Sequence, residues 1–132
     1  MALLVPNNGE GDILSFIVNK STPENLVLRL FTNNITPAET DTAATYTEAS
    51  GSGYSAITLA GASWTVSEGA PSSASYAEQT FTFTGALGSV YGYYLTRATS
   101  GRIAFAERFT SAPFTIATNG DQIKVTVQIT LD

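Results

Sequence analysis

The run from Gln122 to Leu131 constrains the fold more than any other part of the chain. Apolar and polar residues alternate there without a break, and the apolar members are Ile123, Val125, Val127, Ile129 and Leu131. Because successive side chains of a strand point to opposite faces, the pattern predicts one strand with one buried face. Asn119-Gly120 precedes the run and favours a type I′ turn. We therefore expect a C-terminal hairpin that closes a sheet.

The composition also favours strands over helices. Charged residues make up 13% of the chain, about half the ~25% of an average soluble domain. Much of the polar surface must come from 19 Thr and 13 Ser, and Thr is favoured in strands. Short apolar segments between Gly- and Pro-containing turns are typical of a sandwich or barrel. The 132 residues are predicted to form one all-β domain, an antiparallel sandwich or barrel of about eight strands and of the jelly-roll kind.

The predicted core joins the apolar face of the last strand to side chains from earlier strands. Leu26 to Thr32 is expected to be buried on both faces. The alternation in residues 62–67 predicts that Trp64 and Val66 point inward, and the alternation in residues 76–84 predicts the same for Phe81 and Phe83. These four side chains should pack against the C-terminal strand.

Two strands, Val90 to Arg97 and Arg102 to Phe109, are predicted to form a hairpin through residues 98–101. Gly92 lies among tyrosines, which suggests a bulge or a close aromatic approach. Glu107 shares the parity of the apolar residues of its strand. It is therefore either buried with a partner, for which Arg97 or Arg102 is the candidate, or re-aimed by a bulge.

The first 25 residues differ from the body that follows, so the chain divides into an N-terminal arm with a short helix (1–25) and a β body (26–132). Asn7-Asn8-Gly9 is expected to be a turn, with Asp12 capping a helix that runs through Phe16 to Asn19. The arm either docks on a neighbouring subunit or caps its own sheet. We predict the subunit contact, through Leu3, Leu4, Val5, Ile13, Phe16 and Ile17.

The polar stretch 35–53 is expected to be a solvated loop, although loops of this length are often functional. Glu39, Asp41 and Glu48 lie close enough in sequence to suggest calcium. They do not follow the Asp-x-Asp-x-Asp-Gly pattern of a calcium loop, and we assign no metal site.

The absence of Cys and His excludes zinc fingers, disulfide scaffolds and Cys- or His-based catalysis. The net charge of −5 and the scattered basic residues argue against a nucleic-acid partner. No apolar run reaches the ~20 residues of a membrane span, and no cleaved signal peptide is expected. Glu78 and Glu107 are a conceivable carboxylate pair of low specificity. We predict no enzyme activity and no cofactor.

Four segments carry a resemblance to a known group of proteins: residues 1–12 (MALLVPNNGEGD), 26–34 (LVLRLFTNN), 91–109 (YGYYLTRATSGRIAFAERF) and 119–131 (NGDQIKVTVQITL). Together they resemble small virion structural proteins of tailed bacteriophages, most closely head decoration (cement) proteins. The resemblance implies an all-β body, a homo-oligomer bound to the major capsid protein on the capsid surface, and no catalysis.

The competing hypothesis is a receptor- or carbohydrate-binding module of a tail fibre or spike. Such a module needs an exposed aromatic platform, for which the candidates are Tyr46, Tyr54, Trp64 and Tyr76. A single Trp is more often a core residue than a sugar platform. The location of the protein on the head or on the tail would discriminate between the two hypotheses.

Overall fold

The structure, a computed structural model, describes residues 3–131 and is an antiparallel β fold with one α-helix. The helix α1 spans Asn7–Ile17, and single 3₁₀ turns lie at Ala43–Thr45 and Gly61–Ser63. The strands are β1 (Leu26–Phe31), β2 (Ile57–Leu59), β3 (Thr65–Ser67), β4 (Ser72–Ser75), β5 (Gln79–Thr82), β6 (Gly88–Val90), β7 (Gly92–Arg97), β8 (Ile103–Arg108), β9 (Phe114–Ile116), β10 (Gln122–Val125) and β11 (Gln128–Leu131).

These strands form four antiparallel sheets with the orders β2-β1-β7-β8, β11-β4-β3, β10-β5 and β6-β9. Leu4 adds an isolated antiparallel bridge to Ala106 and so extends the first sheet beyond β8. The antiparallel all-β prediction is confirmed. The described residues contain eleven strands rather than about eight. The predicted strands 122–131 and 90–97 are each divided between two sheets, and β4 was not predicted. A jelly-roll connectivity is not confirmed.

The main core lies where the first sheet meets the other strands, and most of the predicted core residues belong to it. Phe81, Phe83, Ile123, Val125 and Val127 are all at most 5% exposed, and Trp64 and Ile129 pack against the cluster half-buried. Two members of the predicted core are wrong. Val66 is 71% exposed and Leu131 is 60% exposed, because none of residues 3–131 forms a further layer over the three-stranded sheet at these positions.

The predicted single C-terminal strand is interrupted after Val125. β10 pairs with β5, whereas β11 pairs with β4 in a different sheet. The predicted hairpin is also wrong, because β9 pairs with β6 and not with β10. In the connection, the Asp121 carboxylate accepts the backbone N–H groups of Ala117 and Thr118 at 2.8 and 2.9 Å. Those bonds replace the type I′ turn, and only Gly120 there has a positive φ.

The predicted hairpin of β7 and β8 is confirmed. Their register shifts after Leu95, which faces Phe105, so that Thr96 faces Ile103 and Ala104 is the extra residue of a bulge. The close aromatic approach expected at Gly92 is confirmed, since a Cβ there would collide with the Phe31 ring. Neither predicted arginine pairs with Glu107; the Tyr93 hydroxyl donates to its carboxylate at 2.6 Å.

Residues 35–53 are only partly solvated. Ile35, Ala43 and Tyr46 pack over Phe31 and Tyr94 on the outer face of the first sheet, and Glu48 forms an antiparallel bridge with Phe31 at the edge of β1. Tyr46 is 5% exposed and stacks on Tyr94 with ring centroids 4.9 Å apart. The pKa of the Tyr94 hydroxyl is raised to about 12, mainly by burial and further by the negative charge of Glu48. Arg29 donates from Nη1 to both Glu48 oxygens at 2.9 and 2.8 Å. The ion pair and the aromatic stack fix the segment on the sheet.

Candidate interaction surface

Helix α1 begins six residues earlier than the sequence predicted, because its N-cap is Pro6 and not Asp12. The backbone N–H of Asn7 donates to the Glu39 carbonyl at 2.8 Å, and the N–H of Glu10 donates to the Pro6 carbonyl at 3.1 Å. These bonds turn the expected Asn7-Asn8-Gly9 turn into the first helical turn. The helix ends before Asn19, whose φ of 57° is left-handed.

Asp12 is an ion-pairing residue rather than the predicted helix cap. It lies inside α1, is 7% exposed, and faces the guanidinium groups of Arg97 at 3.3 Å and Arg102 at 3.2 Å. Arg97 also pairs with Glu24 at 2.6 Å, and its guanidinium lies 5.1 Å from the centre of the Phe16 ring. Arg97 therefore links the helix, the segment after it and strand β7.

Glu24 fixes the segment between α1 and β1. Its carboxylate accepts the backbone N–H groups of Thr99 and Ser100 at 2.6 and 3.0 Å. Loss of hydration alone would raise the pKa of Glu24, but these two N–H groups and the Arg97 charge together hold it below its ordinary value. The chain is thus attached to the β7–β8 turn immediately before the first strand.

The inner face of α1 packs directly on β8. A Cβ at Gly9 would collide with the Ala104 carbonyl, so the absence of a side chain lets the helix lie against the bulge. Ile13, Leu3 and Val5 pack half-buried against the main core. Leu4 exchanges two backbone hydrogen bonds with Ala106, at 2.8 and 3.0 Å. The arm is an integral part of the first sheet.

The six residues predicted to contact a partner therefore divide into two groups. Leu3, Leu4, Val5, Ile13 and Phe16 have contacts within their own chain, as the sheet-capping alternative proposed. Ile17 is 76% exposed. Contact of this segment with another subunit stays a prediction. If such a contact forms, the side of α1 that faces away from the sheet is the part of the segment that is exposed for it.

Two neighbours of Ile17 on the helix were missed. Leu14 is 64% exposed and Val18 is 69% exposed. The sequence contains a usable signal, because in the run Ile13-Leu14-Ser15-Phe16-Ile17-Val18 apolar residues occur on every side of a helix. One side can pack on the sheet and the other is left facing outward. We call Leu14, Ile17 and Val18 the helix patch.

A second exposed apolar area lies on the three-stranded sheet. Val66 and Leu131 surround a shallow depression of about 120 Å³ together with Ala74 and Ile129. We call these four residues the sheet patch. Among the described residues, six large apolar side chains are exposed, and five of them lie in the two patches. The sixth, Phe114, is 41% exposed and packs its ring on Phe109.

The aromatic candidates for a carbohydrate platform are turned toward the protein. Tyr46 is in the second aromatic layer, and Tyr54 stacks on Phe81 at 5.7 Å. Trp64 and Tyr76 form an edge-to-face pair at 5.2 Å. None of these four rings is exposed. Tyr46 is buried and the other three rings are partly buried, so these residues do not form a largely exposed aromatic platform.

The carboxylate candidates are not assembled into one site. Glu107 lines a crevice of about 340 Å³ between the arm and β11, whereas Glu78 lies 3.6 Å from Lys124 on the β10-β5 sheet. Within residues 3–131 no group of three acidic side chains could hold a metal ion. Over the same residues no helix is long and apolar enough to cross a membrane.

Replacing Glu48 with Gln should loosen the layer formed by residues 35–53. Both partners of the Arg29 pair are about one-third exposed (30% and 34%), so solvent weakens the attraction, and we expect a loss of about 0.5–1 kcal/mol in urea unfolding. Amide exchange at Ala49, which bonds the Leu30 carbonyl at 2.9 Å, should become faster. Glu39→Gln is the matched control, because its side chain is exposed. Equal effects of both substitutions would contradict the assigned role of the pair.

Comparison with known proteins adds no assignment to this geometry. No family model, no curated protein and no solved structure matches the chain. The function is therefore argued from the two apolar patches, from the chemistry available in the described residues and from the sequence resemblance.

Proposed function

We propose that the protein is a non-enzymatic structural component of a bacteriophage virion, a decoration protein that binds and stabilises the assembled head. The resemblance of residues 1–12, 26–34, 91–109 and 119–131 to such proteins supports the proposal. The single observation that carries it is the distribution of exposed apolar residues, five of six in the helix and sheet patches. Exposed apolar side chains that are grouped in this way are typical of surfaces that contact another protein.

Both patches are presented on fixed elements, as a packing subunit requires. The helix patch is held by the Asp12 and Arg97 ion pairs and the sheet patch by the β11-β4-β3 ladder. Full burial of an aliphatic side chain contributes about 1.5–3 kcal/mol, from which the cost of association is subtracted. A contact of this size is weak for one copy but sufficient when many copies bind one lattice.

A decoration protein acts by mass action. It binds the assembled shell and not the free subunits, so that each bound copy shifts the equilibrium toward the shell. The proposal requires an all-β body of fixed shape and does not depend on the jelly-roll connectivity that we expected for it. The major capsid protein is the partner, and the capsid surface is the location.

The test uses shells of the cognate major capsid protein assembled without this protein. We expect saturable co-sedimentation with shells, no binding to unassembled subunits, and a higher temperature of shell disruption after binding. Absence of binding to shells, or equal binding to free subunits, would overturn the proposal. Cryo-electron microscopy of virions gives a second readout, because density on the tail would favour the fibre or spike alternative.

Exchange of the sheet patch for polar residues should weaken shell binding. In the double variant Val66→Ser and Leu131→Ser, two exposed aliphatic groups are lost, and we expect at least a roughly tenfold higher Kd. Phe114→Ser is the matched control, since Phe114 is exposed outside both patches. The thermal stability of the free double variant should change little, whereas Phe114→Ser should lower it slightly, because the ring contact with Phe109 is lost. Unchanged binding by the double variant would exclude the sheet patch from the shell contact.

A further inference from the structure

Contacts among the described residues do not explain why position 11 is a glycine. Gly11 lies in the middle of α1, is exposed, and a Cβ built on it would meet no atom within 4 Å. Its φ is not positive. A glycine inside a helix costs about 1 kcal/mol relative to alanine, and the neighbouring Gly9 shows the usual compensation, the close approach of another backbone. At Gly11 no described residue of the chain makes the corresponding approach, so the space over it is open to a partner.

Gly11 lies on the same side of the helix as the helix patch. The exposed residues of α1 and its C-cap are Asn7, Glu10, Gly11, Leu14, Ile17 and Val18. Their spacing of three and four residues forms one continuous stripe, which we call the outer face of α1. The centre of this face is apolar, and Gly11 lies toward its N-terminal end. A large side chain of another helix can fit over Gly11.

The charges near the two ends of α1 indicate which partner fits its outer face. Glu10 lies in the first turn of α1, whereas Lys20 lies three residues beyond Ile17, after the left-handed Asn19 that ends the helix. Neither side chain has an ion-pair partner among the described residues. Opposite charges at opposite ends make the stripe complementary to itself when a second copy runs antiparallel. A parallel copy would place like charges together.

We propose that the outer face of α1 is a self-association site, at which the α1 helices of two copies pack antiparallel across a twofold axis. An axis between Leu14 and Ser15 places Val18 of each copy over Gly11 of the other. It also brings Glu10 of each copy next to Lys20 of the other. Antiparallel helix dipoles add to the attraction. The inference does not depend on where the protein resides in a particle, because it concerns pure protein.

The first test is the concentration dependence of the mass of the pure protein, measured by sedimentation velocity at low salt. Glu10→Lys and Lys20→Glu should each weaken dimerisation by about tenfold, because each substitution creates two like-charge contacts in a twofold dimer. The double variant carrying both should recover wild-type dimerisation. Glu68→Lys is the matched control, as an exposed acidic residue outside the helix.

The second test fills the gap at Gly11. Gly11→Leu should lower dimerisation by tenfold or more while the melting temperature of the monomer stays the same or rises. A Cβ at this position meets no described atom of its own chain within 4 Å, and leucine is a better helix former than glycine. A wild-type protein that is monomeric at all concentrations overturns the proposal. Dimerisation that Gly11→Leu leaves unchanged, or single-charge variants whose combination is no better than either alone, also overturns it. Shell binding is measured separately, so its outcome is distinct.

Discussion

Val125→Asp should leave the chain largely unfolded at room temperature. Val125 is 3% exposed and lies in the main core opposite Gln79 on β5. A carboxylate there would lose its hydration without gaining a partner, which we expect to cost 4 kcal/mol or more. That loss is comparable to the whole stability of a small domain, about 5–15 kcal/mol. Far-UV circular dichroism and urea unfolding give the measurement.

Thr126→Asp is the matched control, because it introduces the same charge one residue later on the exposed side. We expect a change of about 1 kcal/mol or less. Val125→Ala separates lost packing from buried charge and should cost about 2 kcal/mol. If Val125→Asp melts within a few degrees of the wild type, the placement of this face in the core is wrong.

The contrast between Val125 and Thr126 also shows what alternation in a sequence determines. Period 2 reports which side of the backbone is buried, and this was correct for Ile123, Val125 and Val127. It carries no information about which strand lies alongside. The interruption at Thr126 arises because β5 and β4 belong to different sheets, and that arrangement depends on strands about fifty residues earlier in the chain.

The boundaries of helix α1 could not be predicted for a related reason. Local rules favour a turn at Asn7-Asn8-Gly9, but the Glu39 carbonyl binds the first N–H and the bulge at Ala104 accommodates Gly9. Both partners are distant in sequence. The layer of residues 35–53 was missed similarly, because its polar composition conceals the Arg29–Glu48 pair and the Tyr46–Tyr94 stack.

Of the six residues predicted to contact a partner, Ile17 is the one with a largely exposed side chain, and the contact itself stays a prediction. Apolar residues beyond the needs of a lone tail indicated that the N-terminal segment makes contacts, and Ile17 is exposed as a partner contact requires. Leu14 and Val18 became visible only once the helix was known to start at Asn7. The sheet patch was hidden, since Val66 and Leu131 have the same parity as buried neighbours. Only the absence of a covering layer distinguishes them.

Arg97→Met should detach helix α1 from the sheet and destabilise the whole domain. The Arg97 side chain is 11% exposed and the Asp12 side chain 10% exposed, so removal of the guanidinium leaves a buried carboxylate with only part of its compensation. We expect a loss of about 3 kcal/mol in urea unfolding. Amide exchange at Val18, whose N–H bonds the Leu14 carbonyl, should accelerate more than exchange in β1, because the helix is released first.

The loss should shrink as the pH falls. Glu24 has a pKa held below its ordinary value of 4.5, so its contribution to stability is present above that pH and disappears as the carboxylate is protonated. Arg97→Met removes part of this contribution and should therefore differ most from the wild type above about pH 5. A difference that is independent of pH would mean that Arg97 acts by packing on Phe16 alone.

Arg108→Met is the control that separates unpaired carboxylates from the loss of an arginine. Arg108 donates to the Ile35 carbonyl at 2.8 Å and lies 5.1 Å from the centre of the Tyr91 ring, but it has no ion pair with an acidic side chain in the described chain. We expect its substitution to cost about 1 kcal/mol. Adding Asp12→Asn to Arg97→Met should recover part of the lost stability, because it removes a buried charge that keeps only its Arg102 partner. If the double variant is no more stable than Arg97→Met, the buried charge is not the cause and the ion pairs do not hold the helix.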